Sequence, residues 1–343
     1  MSGAVSDMPA IGVLGAGAWG TALAQMLASD GSSVRLWARD PALAHAITAT
    51  RRNERHLPAI VLAPQIDATA ALDAVARCPV LLAVVPAQVM RSVLARLPDR
   101  PRDLVLCSKG IERESGALMH EVARAVLPSA TPAVLSGPTF AHEVAAGLPT
   151  AVTLACSGGK AQWERLSPAL ARPAFRPYYT DDLLGTEIAG AVKNVLAIAS
   201  GLVDGLGLGQ NARAAMIARG FAELLRLGEA TGARRDTLTG LCGLGDLVLT
   251  CTSAASRNYS LGLALGRGET ADALLGGAHA LTEGAHTAPV LVTLAQAHGV
   301  ELPIAAAVRD ILAGAEPRDA VDRLLARPLR PEAGPDAATR ARP

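Results

Sequence analysis

Between Gly185 and Gly209 an apolar, small-residue stretch carries a single lysine, Lys193, followed directly by an amide, Asn194. A cation on an apolar helix is costly to bury unless it has a partner or a task. At helical spacing Lys193 neighbours Ala189, Gly190, Leu196 and Ala197, so no carboxylate of its own helix can pair with it. The small neighbours leave room above the ammonium for another backbone or a ligand. Lysine occurs at only three places in this chain, Lys109, Lys160 and Lys193; nearly every other basic residue is arginine. An ammonium can be tuned to lose its proton near neutral pH, and a guanidinium cannot. Two readings of Lys193 therefore stand: an amine that exchanges protons, or a lysine snorkelling from a half-buried helix. Glu187, two turns before Asn194, either orients that amide or caps the helix.

Other chemistry-bearing groups lie on both sides of this stretch. Gly240-Leu-Cys-Gly-Leu-Gly-Asp246 is a backbone-exposing turn that ends in a carboxylate. Soon after it, Ser256, Arg257 and Asn258 set a hydroxyl, a fork of donors and an amide side by side, which suits a phosphate. The plainer reading of that trio is a helix cap with a surface arginine. Upstream, Cys107-Ser-Lys-Gly110 would deliver Lys109 from the end of a strand.

The elements that must position these residues can be read from pattern. Ile11–Leu14 is a short apolar run, Gly15-Ala-Gly-Ala-Trp-Gly20 follows, and helical periodicity runs from Thr21 to Ser29. This order, strand, G-x-G-x-x-G and helix, is the context a dinucleotide site requires. Gly15 permits the tight turn, Gly17 lets backbone approach a pyrophosphate, and Gly20 lets helix and strand pack closely. A second strand ends near Trp37. Arg39 follows, where an NAD-preferring site would place an acid, and an arginine there can pair with a 2′-phosphate. That points to NADP(H) with NAD(H) as the alternative, because Asp40 takes the acidic role if the strand ends later. Further strands are expected at Val80–Val85, Leu104–Cys107, Ala133–Ser136 and Ala151–Leu154, with helices between, giving a parallel doubly wound sheet. The turns Val85-Pro-Ala, Cys107–Gly110 and Ser136–Glu143 would then leave its carboxyl edge together, where such sheets bind ligands.

Strand signals stop after about Thr180, and helical periodicity continues to about Ala326. The expected layout is a flexible lead-in at 1–9, an α/β dinucleotide-binding domain at 10–182, an all-α domain at 183–330 and a disordered tail at 331–343. Gly205 to Gly209 reads as a loop and Asn211 to Gly232 as a helix. A net charge of +1 gives no reason to expect a nucleic-acid partner, and aromatic residues at 3% leave little for base stacking. Five cysteines without C-x-x-C spacing argue against disulfides and structural zinc and for a reducing compartment. His142-Glu143 is followed by Val-Ala-Ala, so no metal site is indicated. The first apolar run is too short for a signal peptide or a membrane span.

Taken in order, the motifs Gly15–Ala24, Ser108–Ile111, Ser136–Ala141, Ala191–Asn194, Gly243–Asp246, Ser256–Asn258 and Thr282–Gly284 carry a resemblance. Over about residues 10 to 325 the chain resembles the soluble bacterial glycerol-3-phosphate dehydrogenases that use NAD(P)+. The resemblance implies a Rossmann-like domain followed by a helical domain of the 6-phosphogluconate-dehydrogenase kind, with the site between them. It implies that Lys193 is the proton acceptor and that Lys109 touches both cofactor and substrate. Gly137, Thr139, Asp246, Ser256, Arg257 and Asn258 match substrate contacts. Ala18, Trp19, Arg39, Ala141, Arg257, Leu281 and Glu283 match cofactor contacts, and His56 stands where the family usually has a larger aromatic. A homodimer, a cytoplasmic location and a role in supplying glycerol phosphate for membrane lipids are likewise implied. The rivals are a 6-phosphogluconate or 3-hydroxyacid dehydrogenase and a non-catalytic dinucleotide sensor. Asn adjacent to Lys, and Ser256–Asn258 following Asp246, weigh against the first; a sensor has no need of Lys109, Lys193 and Asp246 together.

Overall fold

A computed structural model describes residues 11–277 and 282–329; the expected lead-in, the expected tail and Leu281 lie outside the described residues. Eight strands form one sheet: β1 (Ile11–Leu14), β2 (Val34–Trp37), β3 (Ile66–Thr69), β4 (Val80–Ala83), β5 (Arg102–Leu106), β6 (Ala130–Ser136), β7 (Thr150–Cys156) and β8 (Phe175–Thr180). Their order is β3-β2-β1-β4-β5-β6-β7-β8. Ile11 pairs with Val34 on one side and with Val80 on the other, so the connections leaving β1 and β4 diverge between these two strands. That divergence opens a crevice at the carboxyl edge of the sheet. Val13, Leu14, Leu81 and Leu82 are fully buried, as expected of strands covered on both faces.

Seven helices cover this sheet: α1 (Ala18–Leu27), α2 (Pro41–Thr50), α3 (Leu72–Ala76), α4 (Ala87–Leu94), α5 (Met119–Val126), α6 (Ala141–Ala145) and α7 (Gly159–Leu170). Helix α1 begins at Ala18, earlier than the periodicity suggests, because the glycine turn feeds straight into it. The sheet is parallel through β6, but β7 runs antiparallel to it, since the short α6 connection returns the chain along the same edge. The pair β7–β8 is again parallel. Two strands, β3 and β8, escape the pattern reading. Both are edge strands, and β8 contains Pro177, which is tolerated only where one side lacks a hydrogen-bonding neighbour.

The remaining elements are helical: α8 (Leu183–Gly205), α9 (Gly209–Thr231), α10 (Arg235–Thr239), α11 (Asp246–Cys251), α12 (Arg257–Gly266), α13 (Ala271–Leu275), α14 (Glu283–Ala297), α15 (Pro303–Leu312) and α16 (Pro317–Leu325). Helix α8 is the axis of this half. Asp182 caps it by accepting from Gly185 N at 2.8 Å, and its second oxygen accepts from Arg234 N at 2.9 Å. By length and composition α8 could cross a membrane, yet 89% of its most apolar window is buried inside the protein.

Glycines, rather than interdigitated large side chains, bring α12 against α8. An ideal Cβ on Gly201 would lie 2.0 Å from Tyr259 O, and one on Gly262 would lie 1.9 Å from Ile198 O. Gly205 and Gly266 repeat the contact one turn on. The expected loop at Gly205–Gly209 is present but shorter, spanning residues 206–208: Gly205 is the last residue of α8, where it meets Leu263, and α9 starts at Gly209. Because the obstacles are backbone carbonyls, they cannot rotate away. Gly262→Ala should therefore lower the unfolding free energy by about 3 kcal/mol or more, at the upper end of overpacking costs, measured by urea denaturation.

Candidate active site

A buried carboxylate stands at the centre. Asp246 opens α11 directly after a π-helical turn, Leu241–Gly245, in which a Cβ on Gly243 would collide with Leu238 O at 1.8 Å. The turn therefore depends on glycine, and it aims Asp246 inward, where it is 1% exposed. Its Oδ2 receives Lys109 Nζ at 2.7 Å, and its Oδ1 lies 3.3 Å from Lys193 Nζ. Thr250, one turn along α11, donates to Asp246 Oδ1 at 3.2 Å and accepts from Lys193 Nζ at 3.0 Å. Lys109 Nζ also donates to Gly137 O at 3.0 Å. That carbonyl accepts from Thr139 Oγ1 as well.

Three groups acting on Lys193 decide its protonation. Burial disfavours the ammonium, Asp246 favours it, and the nearby Lys109 disfavours it. Burial wins, and the Lys193 pKa falls to about 8. Of the two sequence readings, a snorkelling cation does not fit, because the ammonium is enclosed and hydrogen-bonded.

Amide groups hold this cluster in place. Asn194 Nδ2 donates to Lys109 O at 2.8 Å, tying α8 to the loop after β5. Asn258 Nδ2 donates to Asn194 Oδ1 at 2.9 Å, and Asn258 Oδ1 accepts from Gly284 N at 2.9 Å. The Asn258 side chain thus spends its carbonyl and one N–H on the scaffold and keeps one N–H. Glu187 neither orients Asn194 nor caps α8. It accepts from His120 N at 2.9 Å, and its other oxygen lies 2.5 Å from His120 Nδ1, so it anchors the start of α5. Ser256 caps α12 by accepting from Tyr259 N at 3.3 Å. Arg257 is exposed and makes no hydrogen bond or ion pair with the described residues. Its charge nevertheless acts on both His56 and Glu283.

The glycine-rich turn lies at the crevice. Gly15 has φ +116°, and a Cβ there would meet Val84 O at 2.8 Å. A Cβ on Gly20 would lie 1.9 Å from Gly15 O, whereas around Gly17 nothing lies within 4 Å. The N-terminus of α1, at Ala18, has no side-chain cap and no acid in its first turn, so its N–H groups are free to face an anion. Trp19 Nε1 is buried without a partner. Glu283 accepts from Ala87 N at 2.9 Å, while its other oxygen is buried and unpartnered. Ala141 is the first residue of α6. An open glycine, uncapped helix amides and unsatisfied polar atoms together fit a dinucleotide.

Strand β2 ends at Trp37, which places Arg39 just beyond it, exposed. Asp40 is engaged elsewhere, capping α2 by accepting from Ala42 N at 2.9 Å. His56 is half-buried; burial and the charges of Arg55 and Arg257 push its pKa down and disfavour the imidazolium. Two residues of the site were not singled out by pattern. Asn53 is fully buried: Nδ2 donates to Ala16 O at 2.9 Å and to Thr21 Oγ1 at 2.8 Å, while Oδ1 accepts from His56 N at 3.2 Å. Thr250 is the other, and its position four residues after Asp246 on one helix is the signal that could have found it.

Comparison with known proteins agrees on one family. The family model described as the NAD-dependent glycerol-3-phosphate dehydrogenase N-terminus matches residues 10–162, and the corresponding C-terminus model matches residues 182–322. A glycerol-3-phosphate dehydrogenase [NAD(P)+] of Erythrobacter litoralis is 62% identical over 327 residues, covering 95% of this chain and 99% of the relative. The crystal structure of glycerol-3-phosphate dehydrogenase from Coxiella burnetii superposes with a TM-score of 0.86 at 42% identity, covering 92% of this chain and 98% of that one. The Saccharomyces cerevisiae glycerol-3-phosphate dehydrogenase gives 0.76 at 25% identity, covering 92% and 99%.

Removing the shared carboxylate would leave two cations without their counter-charge. Asp246→Ala should cost about 3–5 kcal/mol of stability, the usual penalty for stranding buried charge. Urea denaturation measures it, and a loss below about 1 kcal/mol would mean the lysines do not depend on Asp246.

Proposed function

The chain belongs to the NAD-dependent glycerol-3-phosphate dehydrogenase family, and from that premise we propose how its residues divide the work. The enzyme is an oxidoreductase that interconverts sn-glycerol 3-phosphate and dihydroxyacetone phosphate with NAD(P)(H). A bound nicotinamide supplies or accepts the hydride. Lys193 handles the proton at the C2 oxygen: neutral, it takes the hydroxyl proton during oxidation; as the ammonium, it gives one back during reduction. The observation that carries this assignment is its burial against Asp246 and Thr250 with a pKa brought down to about 8. A base poised near working pH is the useful one. Asp246 and Thr250 orient the amine, and Lys109 brings a second positive charge to the same oxygen.

Arg257 receives the substrate phosphate, supported by its guanidinium having no hydrogen bond or ion pair among the described residues, with Ser256 and the remaining N–H of Asn258 beside it. Gly137, whose carbonyl accepts from Lys109, and Thr139 beside it line the substrate side. Gly15, Gly17, Ala18, Trp19 and Gly20 hold the pyrophosphate side of the cofactor, and His56, Ala141, Leu281 and Glu283 complete its surroundings. NADP(H) is the preferred cofactor, supported by the exposed Arg39, which has no ion pair among the described residues, and by the engagement of Asp40 as a helix cap. Residues 10–182 and 183–330 act as the cofactor-binding and substrate-binding domains, in line with the last strand ending at Thr180 and α8 starting at Leu183. A cytoplasmic setting accords with five free cysteines, and the homodimer and the lipid-precursor role follow the family resemblance.

Lys193→Ala should lower kcat by about 10²–10⁴-fold, the usual worth of general acid–base catalysis, while leaving NADPH binding by fluorescence titration nearly unchanged. Near-normal turnover would remove Lys193 as the base. In the wild type, oxidation requires the neutral amine, so its rate should rise as pH passes about 8, and reduction should fall through the same range. For Arg257→Ala, KM for dihydroxyacetone phosphate should rise about 10- to 100-fold, the worth of one charged hydrogen-bonding contact. An unchanged KM would take Arg257 out of the phosphate site.

A further inference from the structure

The loop that Asn53 pins to the glycine turn also delivers a second arginine to the Arg39 corner. Arg55 Nη1 lies 3.8 Å from Asp40 Oδ2, with the two side chains 67% and 48% exposed. Such a pair contributes little to stability, so its interest lies in the charge it sets. Asp40 is fixed in place by capping α2, one residue from Arg39. A 2′-phosphate arriving beyond β2 would therefore meet an attractive guanidinium and, beside it, a repelling carboxylate.

We propose that Arg55 is a cofactor-selecting residue: it neutralises Asp40 and so makes the corner net positive for a 2′-phosphate. This rests on the NADP(H) reading of Arg39. Two observations carry it. The first is the geometry of the pair. The second is that the backbone carrying Arg55 is held, because its loop is closed on both sides. Asn53 accepts from Leu57 N at 2.8 Å through its backbone and from His56 N through its side chain, and Arg51 O accepts from Leu62 N at 2.7 Å. Without Arg55, Arg39 would stand beside an uncompensated Asp40, and the corner would lose its preference for a phosphate over a ribose hydroxyl. With NADH no phosphate is present, so the same charge has less to act on.

The test is the ratio of kcat/KM for NADPH to that for NADH, measured at low salt in wild type, Arg55→Ala, Arg55→Ala with Asp40→Asn, and Arg39→Ala. Arg55→Ala should lower the ratio about two- to fivefold, as expected for one exposed charge near an anion. Adding Asp40→Asn should restore most of it, and high salt should shrink the difference. An unchanged ratio in Arg55→Ala, or no recovery with Asp40→Asn, overturns the proposal. If Arg39→Ala lowers the ratio while Arg55→Ala does not, only Arg55 loses its role. If Arg39→Ala also leaves the ratio intact, the NADP(H) reading of Arg39 fails with it.

Discussion

One carboxylate shared by two lysines is the constraint on which the site depends. Lys109 comes from the loop after β5, Lys193 from the middle of α8 and Asp246 from the start of α11. None of these three groups could be buried by itself without a large desolvation cost. Together they reduce two positive charges to one, and they do so only when the sheet and the helical half are both folded and docked. The same burial that makes the arrangement costly gives Lys193 its depressed pKa. Stability is spent here on holding an amine whose proton is loosely bound, as is usual where titratable groups are concentrated and buried.

The scaffold around the triad is built to fix backbone rather than to fill space. Helix α8 is buried on nearly every side, so it can be approached closely only by elements that present little side chain. The glycines shared between α8 and α12 provide that approach. Asn194 and Asn258 then convert proximity into register, because an amide satisfies a carbonyl on one neighbour and a donor on the next. Glu187 contributes farther along α8 by holding the start of α5.

Much of this was legible in the sequence, and the misses have physical causes. The glycine turn, the strand-to-helix change after Thr180 and the lysine on α8 all follow from local pattern, because each is a departure from its immediate surroundings. The edge strands β3 and β8 lack such a signal, since an edge makes weaker demands on residue type and admits Pro177. The partner of Glu187 was invisible because His120 lies 67 positions away, and spacing on one helix says nothing about a neighbour from another. Likewise, no rule of local propensity shows that Gly205, besides ending a helix, also admits another one. Asp246 was found, but its division between two cations is a property of the assembled fold.

The buried amide of Asn53 bears on the thermodynamics of cofactor capture. By joining Ala16, Thr21 and His56, it holds the glycine turn and the facing loop in one arrangement without relying on a ligand to do so. Association then loses little conformational entropy in this part of the crevice. The affinity gained from pyrophosphate and ribose contacts is kept rather than consumed in ordering a floppy segment. A dinucleotide would meet a surface already shaped for it.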